Sequence, residues 1–148
     1  MKSTVVGQLK RDKDVEDWFN SKPVEIPYFG NVKLRITFTD AEEESYMEDA
    51  DAALSSFLKL TAKNRISDTE MVHAYYTEVI NETDADPLEL DAPEEIWDYV
   101  TPIEITIDED DQGDICVNVS CECEWDEDDG LQLVFKKGKA LTRAGAHE

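Results

Sequence analysis

Apolar positions along this 148-residue chain alternate with polar ones, then recur every three to four residues, then alternate again. Residues 4–9 read as a short first strand. Val15, Trp18 and Phe19 suggest one amphipathic turn that Pro23 ends. Val24, Ile26 and Tyr28 share one face of an alternating run; Val32, Leu34, Ile36 and Phe38 share one face of the next. Gly30-Asn31 between them predicts a hairpin, because the turn needs positive φ. Pro27 cannot donate to a ladder, so the first arm is an edge or starts late.

The period then lengthens. Thr39 or Asp40 stands where it can cap a helix, with Glu42, Glu43 and Glu44 complementing the dipole of its first turn. Ala50, Ala53, Leu54, Phe57, Leu58 and Thr61 follow helical spacing, which predicts a helix stopping near Asn64. Ser67 or Asp68 caps a second helix, with Met71, Ala74, Tyr75, Val79 and Ile80 as its buried stripe. Residues 82–92 are acidic and read as a loop. Pro93 opens a short third helix carrying Ile96, Trp97 and Val100.

Alternation returns at Ile103, Ile105 and Ile107, breaks at a turn over 108–114, and holds strictly from Ile115 through Val117, Val119, Cys121 and Cys123 to Trp125. Residues 126–130 turn the chain, and Leu131, Leu133 and Phe135 return it. A last turn at 136–139 precedes a short strand at 140–143. Strands, then helices, then strands predict an α+β fold: a mainly antiparallel sheet of about five to six strands, with two longer helices and one short helix on one face. The length suits a single domain over 1–148, with the first ~20 and last ~5 residues peripheral.

Charge sharpens this picture. The formal net charge is -22 and the pI about 4.2, while a hydrophobic content of 41% suffices for a real core. Between residues 36 and 135 there are 30 acidic residues against three bases, Lys59, Lys63 and Arg65; the other 11 bases lie in the end segments. Such a surface repels nucleic acid and anionic lipid and attracts basic proteins or divalent cations. The N-terminus lacks the apolar run of a signal peptide, and no stretch approaches the roughly 20 apolar residues of a membrane span. Three cysteines, Cys116, Cys121 and Cys123, fit a reducing, cytoplasmic setting better than a disulfide framework.

Candidate chemistry is sparse. Cys121 and Cys123 fall on one strand face, where parallel side chains neither converge on a metal nor close a disulfide easily. Their simplest role is as two small buried hydrophobes. Residues 108–114 have a faint calcium-loop pattern, but Val119 stands where the bidentate Glu is needed. His73 is a weak general-base candidate beside the second helix's stripe, and His147, at the extreme end, is expected to be unstructured. No nucleophile elbow, phosphate-cradling glycine loop or zinc-pair motif occurs, and no cofactor is implied.

Residues 121–138, from Cys121-Glu122-Cys123-Glu124-Trp125 through Gly130-Leu131 to Phe135 and Gly138, resemble a bacterial domain family of unknown function. Its members carry a Cys-x-Cys-x-Trp-Glu-x-Glu-His-Gly-Leu run and then a strand ending in Phe and Gly. Residues 27–30, 57–60 and 96–102 echo the same family, so the likeness covers roughly 20–145. Here Asp126 stands for Glu, and Asp128-Asp129 replace Glu-His before Gly130. The resemblance implies a fold unit and no reaction. Loss of the imidazole favours a structural role for the segment, a hairpin with Trp125 packed under it.

These readings converge on a non-catalytic acidic interaction protein that binds a basic protein, as an inhibitor or immunity protein does. The candidate contacts are Glu94, Glu95, Asp98, Asp110, Asp111, Asp128 and Asp129. The alternative is a divalent-metal protein or metal-dependent enzyme using Cys121, Cys123, Asp126 and Asp129. A third reading assigns the acidity to solvation alone.

Overall fold

A computed structural model describes residues 1–147; the single-domain reading extends to Glu148, which lies outside them. The chain is α+β. Strands β1 (Lys2–Ser3) and β2 (Gly7–Gln8) form a small hairpin, followed by β3 (Lys10–Arg11) and β4 (Phe19–Asn20). A second hairpin pairs β5 (Val24–Ile26) with β6 (Val32–Leu34), and β7 (Ile36–Phe38) follows at once. Three helices come next: α1 (Glu44–Phe57), α2 (Ala62–Ser67) and α3 (Thr69–Glu82). A 3-10 helix, Pro93–Tyr99, leads into β8 (Val100–Glu109), β9 (Ile115–Cys123), β10 (Leu131–Lys136) and β11 (Ala140–Gly145).

The main sheet has seven strands, in the order β11-β10-β9-β8-β7-β4-β3. It has more strands than the five to six expected and is mainly antiparallel, with one parallel pair that makes it mixed: β7 runs alongside β8, Ile36 opposite Ile105 and Phe38 opposite Ile107. The cause is the connection. The three α-helices and the 3-10 helix Pro93–Tyr99 lie between β7 and β8, and a crossover that long can return the chain in the same direction, which a tight turn cannot. Ile36, Phe38, Ile105, Ile107, Val117, Val119, Leu131, Leu133 and Phe135 are fully buried between sheet and helices. Tyr28, Phe57 and Phe135 pack ring on ring there, with Phe57 and Phe135 centroids 4.9 Å apart.

Several expectations are corrected by local chemistry. Of the strand expected over 4–9 only Gly7–Gln8 is strand, and residues 4–6 form a turn, because Ser3 Oγ accepts from the Val5 and Val6 N–H groups and curls the chain. Phe19 belongs to the sheet rather than to an amphipathic turn, and pairs with Phe38. The long second hairpin arm is two strands: β6 stays with β5, and β7 joins the main sheet. Helix α1 stops at Phe57, seven residues before Asn64, because the Asn64 side chain accepts from the Thr61 N–H and starts α2 afresh. Thr39 does not cap α1; its hydroxyl donates to the Ile107 carbonyl.

On α3 the buried stripe is Val72, Tyr75, Tyr76 and Val79, while Met71 is exposed. Tyr76 goes inward because its hydroxyl accepts from the Leu88 N–H and holds the acidic loop against the core. Ile103 is 48% exposed because a bulge after Pro102 resets the register, pairing Glu104 with Ser120. His147 is not loose: its N–H donates to the Asp129 carbonyl.

Candidate acidic interaction site

Strand β9 separates the acidic turns. Its nine residues extend about 30 Å, so the turn before it and the turn after it sit at opposite ends of the sheet. The first holds Asp110 and Asp111; the second holds Asp128 and Asp129. The 3-10 helix with Glu94, Glu95 and Asp98 feeds β8 beside the second turn, since Val100 pairs with Cys123 and the Glu124 N–H donates to the Tyr99 carbonyl. The structure therefore sets the 3-10 helix that carries Glu94, Glu95 and Asp98 at the same end of β9 as Asp128 and Asp129, and places Asp110 and Asp111 at the far end.

Some of these carboxylates are engaged within the fold itself. Glu95 accepts from the Ala92 N–H at 2.7 Å and caps its own 3-10 helix. Asp110 accepts from the N–H groups of Gln112 and Asp114, which hold its carboxyl below the usual range and shape the β8–β9 turn. Asp126 likewise accepts from the Asp129 N–H. Glu94, Asp98, Asp128 and Asp129 are exposed.

Between the two clustered segments lies a cleft of about 320 Å³, lined by Tyr99, Thr101, Glu122, Cys123, Glu124 and Glu127. Glu122, Glu124 and Glu127 are exposed at its rim. They were absent from the candidate contacts drawn from sequence, although alternation with the inward Cys121 and Cys123 already turns Glu122 and Glu124 outward. Three carboxylates and a phenol ring around a cleft of this size match one guanidinium or ammonium with its alkyl stem: carboxylates accept its N–H groups and the ring face attracts its charge. The Tyr75 hydroxyl donates to the Gly130 carbonyl at 2.8 Å and ties the second turn to α3, so the cleft has a fixed wall.

The alternative metal set does not assemble. Cys121 and Cys123 are 3% exposed and point into the core. Burial pushes the Cys123 thiol up to about 12, and burial followed by the neighbouring Cys123 raises Cys121 well above its ordinary value. Both are neutral thiols at pH 7. The Cys123 Sγ donates to the Asp126 carbonyl at 3.6 Å. Among the described residues no group of three or more His, Cys, Asp or Glu side chains could hold a metal ion. In the calcium-like segment, Asp108 accepts from Asn118 and Asp114 pairs with Lys136 and Lys137, so its carboxylates serve the turn. His73 packs its ring edge against Tyr76 and contacts Thr77 on its own helix.

The sequence concentrates bases near its ends, and the fold gives the N-terminal group a place. A cleft of about 650 Å³ at the β3 edge of the sheet is lined by Lys10, Arg11, Lys13, Lys22 and Arg35, with Gln8, Asp12, Asp14, Asn20 and Ser21. No helix of the described residues is long and apolar enough to cross a membrane. The model of one protein family, a domain of unknown function (DUF6985), matches residues 5–148. No curated protein and no solved structure matches the chain.

Proposed function

The chain belongs to the DUF6985 family, and from that premise we propose that it is a non-catalytic interaction protein whose acidic end engages a basic protein partner. The observation that carries this reading is the cleft beside Tyr99, rimmed by Glu122, Glu124 and Glu127 and flanked by Glu94, Asp98, Asp128 and Asp129. A Lys or Arg of the partner enters the cleft, and the flanking carboxylates steer its approach. The cleft is lined by three carboxylates and two hydroxyl-bearing side chains, Tyr99 and Thr101, which suits recognition of a cation. Three unpaired, buried cysteines support a reducing, cytoplasmic location.

Affinity capture from native lysate tests the reading, at low and at physiological ionic strength. A basic protein is expected in stoichiometric amount with the wild type. The triple variant Glu122→Gln, Glu124→Gln, Glu127→Gln should lose it about tenfold or more, equivalent to roughly 1.4 kcal/mol. The control triple Glu43→Gln, Glu44→Gln, Glu48→Gln removes the same charge at the start of α1 and should retain it. Equal capture by both triples would reduce the acidity to solvation or to a general field.

A further inference from the structure

The basic cleft at the β3 edge shares no lining residue with the acidic cleft, and we infer that it binds a compact, phosphate-bearing anion of small-molecule size. Five bases against two carboxylates line it, in a chain whose net charge is -22. They come from separate segments: Lys10 and Arg11 from β3, Lys13 from the bend after it, Lys22 from the loop after β4, and Arg35 from between β6 and β7. Lysine on an edge strand discourages edge-to-edge pairing, but that role does not account for Lys22 and Arg35, which are off the edge.

The floor under these bases is fixed. Asp12 accepts from the Asn20 side chain at 2.8 Å and from the N–H groups of Asp14 and Val15. Thr37 donates to Asn20 at 2.8 Å, and Ser21 accepts from the Ile36 N–H while donating to the Lys22 carbonyl. These bonds set the backbone that carries Lys13, Lys22 and Arg35, so a ligand meets a preorganised rim.

Two of the bases are partly engaged and three are not. Arg11 pairs with Glu42 at 3.0 Å, donates to the Glu16 carbonyl and lies over the Phe19 ring. Arg35 sits 3.6 Å from Glu104 with both side chains about half exposed, a pairing weak enough to yield to a better anion. Lys10, Lys13 and Lys22 are exposed and form no ion pair among the described residues. Three ammoniums and a guanidinium around a cleft of this volume match a di- or triphosphate-sized group. The carboxylates at its margin, Asp14, Glu42 and Glu104, limit the ligand's length. A nucleic-acid strand leaving the cleft would run onto them and onto the rest of the polyanionic surface.

Titration of 15N-labelled full-length protein with inorganic pyrophosphate, paired with calorimetry, tests this. Saturable binding is expected, weakening with added salt, with amide shifts at residues 10–13, 20–22 and 35. Lys13→Gln with Lys22→Gln should weaken binding at least tenfold, while Lys59→Gln with Lys63→Gln leaves it unchanged; the spectra themselves report that both variants fold. Absence of saturable binding, or equal losses in the two double variants, overturns the proposal. So do concentration-dependent shifts of the same amides without pyrophosphate, which would mean that a second copy's carboxylates occupy the cleft.

Discussion

Replacing Gly138 by alanine should destabilise the protein far more than the same change at Gly113. Both glycines lie in turns with positive φ, +70° and +82°. A side chain pays about 1 kcal/mol for that conformation at either position. Around Gly113 a new Cβ meets nothing within 4 Å, so the conformational term is the whole cost. At Gly138 the Cβ would stand 1.9 Å from the Ala53 carbonyl oxygen and 2.7 Å from its carbon. That is about 1.5 Å inside ordinary carbon–oxygen contact. The obstacle is helix backbone, and α1 cannot retreat without lifting Ala50, Ala53, Leu54 and Phe57 from the core they fill. Overpacking of this kind costs about 1–3 kcal/mol, which brings Gly138→Ala to roughly 2–4 kcal/mol. For a domain of this size the corresponding loss of Tm is about 4–16 °C, against about 2–4 °C for Gly113→Ala. Differential scanning calorimetry of both variants measures the difference. Equal shifts would refute the close approach of the β10–β11 turn to α1.

Three further outcomes follow from buried and titrating groups. Asp51, 8% exposed on α1, accepts from the Ser3 hydroxyl and from the Thr4 N–H and hydroxyl; Asp51→Ala should cost about 1–3 kcal/mol and speed amide exchange over residues 1–9, and unchanged exchange there would contradict the clasp. Burial pushes the Cys116 thiol up to about 11 and Cys123 to about 12, so a disulfide reagent at pH 8 should label none of the three thiols in the native protein and all three in denaturant; native labelling of Cys121 or Cys123 would contradict their burial. Burial raises the carboxyls of Asp68 and Asp108, so the folded state binds their protons more tightly and stability rises as pH falls toward the ordinary carboxylate value. Hydrogen bonds lower Asp12, through Asn20 first, and Asp110, through the Asp114 N–H first, so their contribution is complete above that value and is lost below it. Together with relief of self-repulsion, this places the maximum Tm at about pH 4–6, and a steady fall in Tm from pH 7 to pH 5 would contradict it.

The C-terminal half of the fold was readable residue by residue because strict alternation from Ile115 to Phe135 leaves one way to bury Val117, Val119, Leu131 and Leu133. The N-terminal third was not, because its strands are two or three residues long and are set by side-chain bonds such as Ser3 to Val5 and by pairing with distant partners such as Phe38. Periodicity carries no trace of either. The parallel β7–β8 pair depends on the path of the whole helical segment, which local pattern does not encode. For the site, acidity was plain in the sequence but its geometry was not. Asp110 and Asp128 look equivalent as members of acidic turns, and only the span of β9 sets them at opposite ends. Glu95 reads as surface charge until its bond to the Ala92 N–H makes it a cap. The basic cleft was present only as the remainder of the charge count, since its bases are spread from Lys10 to Arg35 and come together through β3, β4 and the β6–β7 junction.

Amide hydrogen exchange on the protein bound to its captured basic partner tests the central claim most directly. The account predicts protection over residues 93–99 and 122–130, lost in the Glu122→Gln, Glu124→Gln, Glu127→Gln variant, with residues 108–114 unaffected. Protection centred on 108–114, or none at either end of β9, would contradict it.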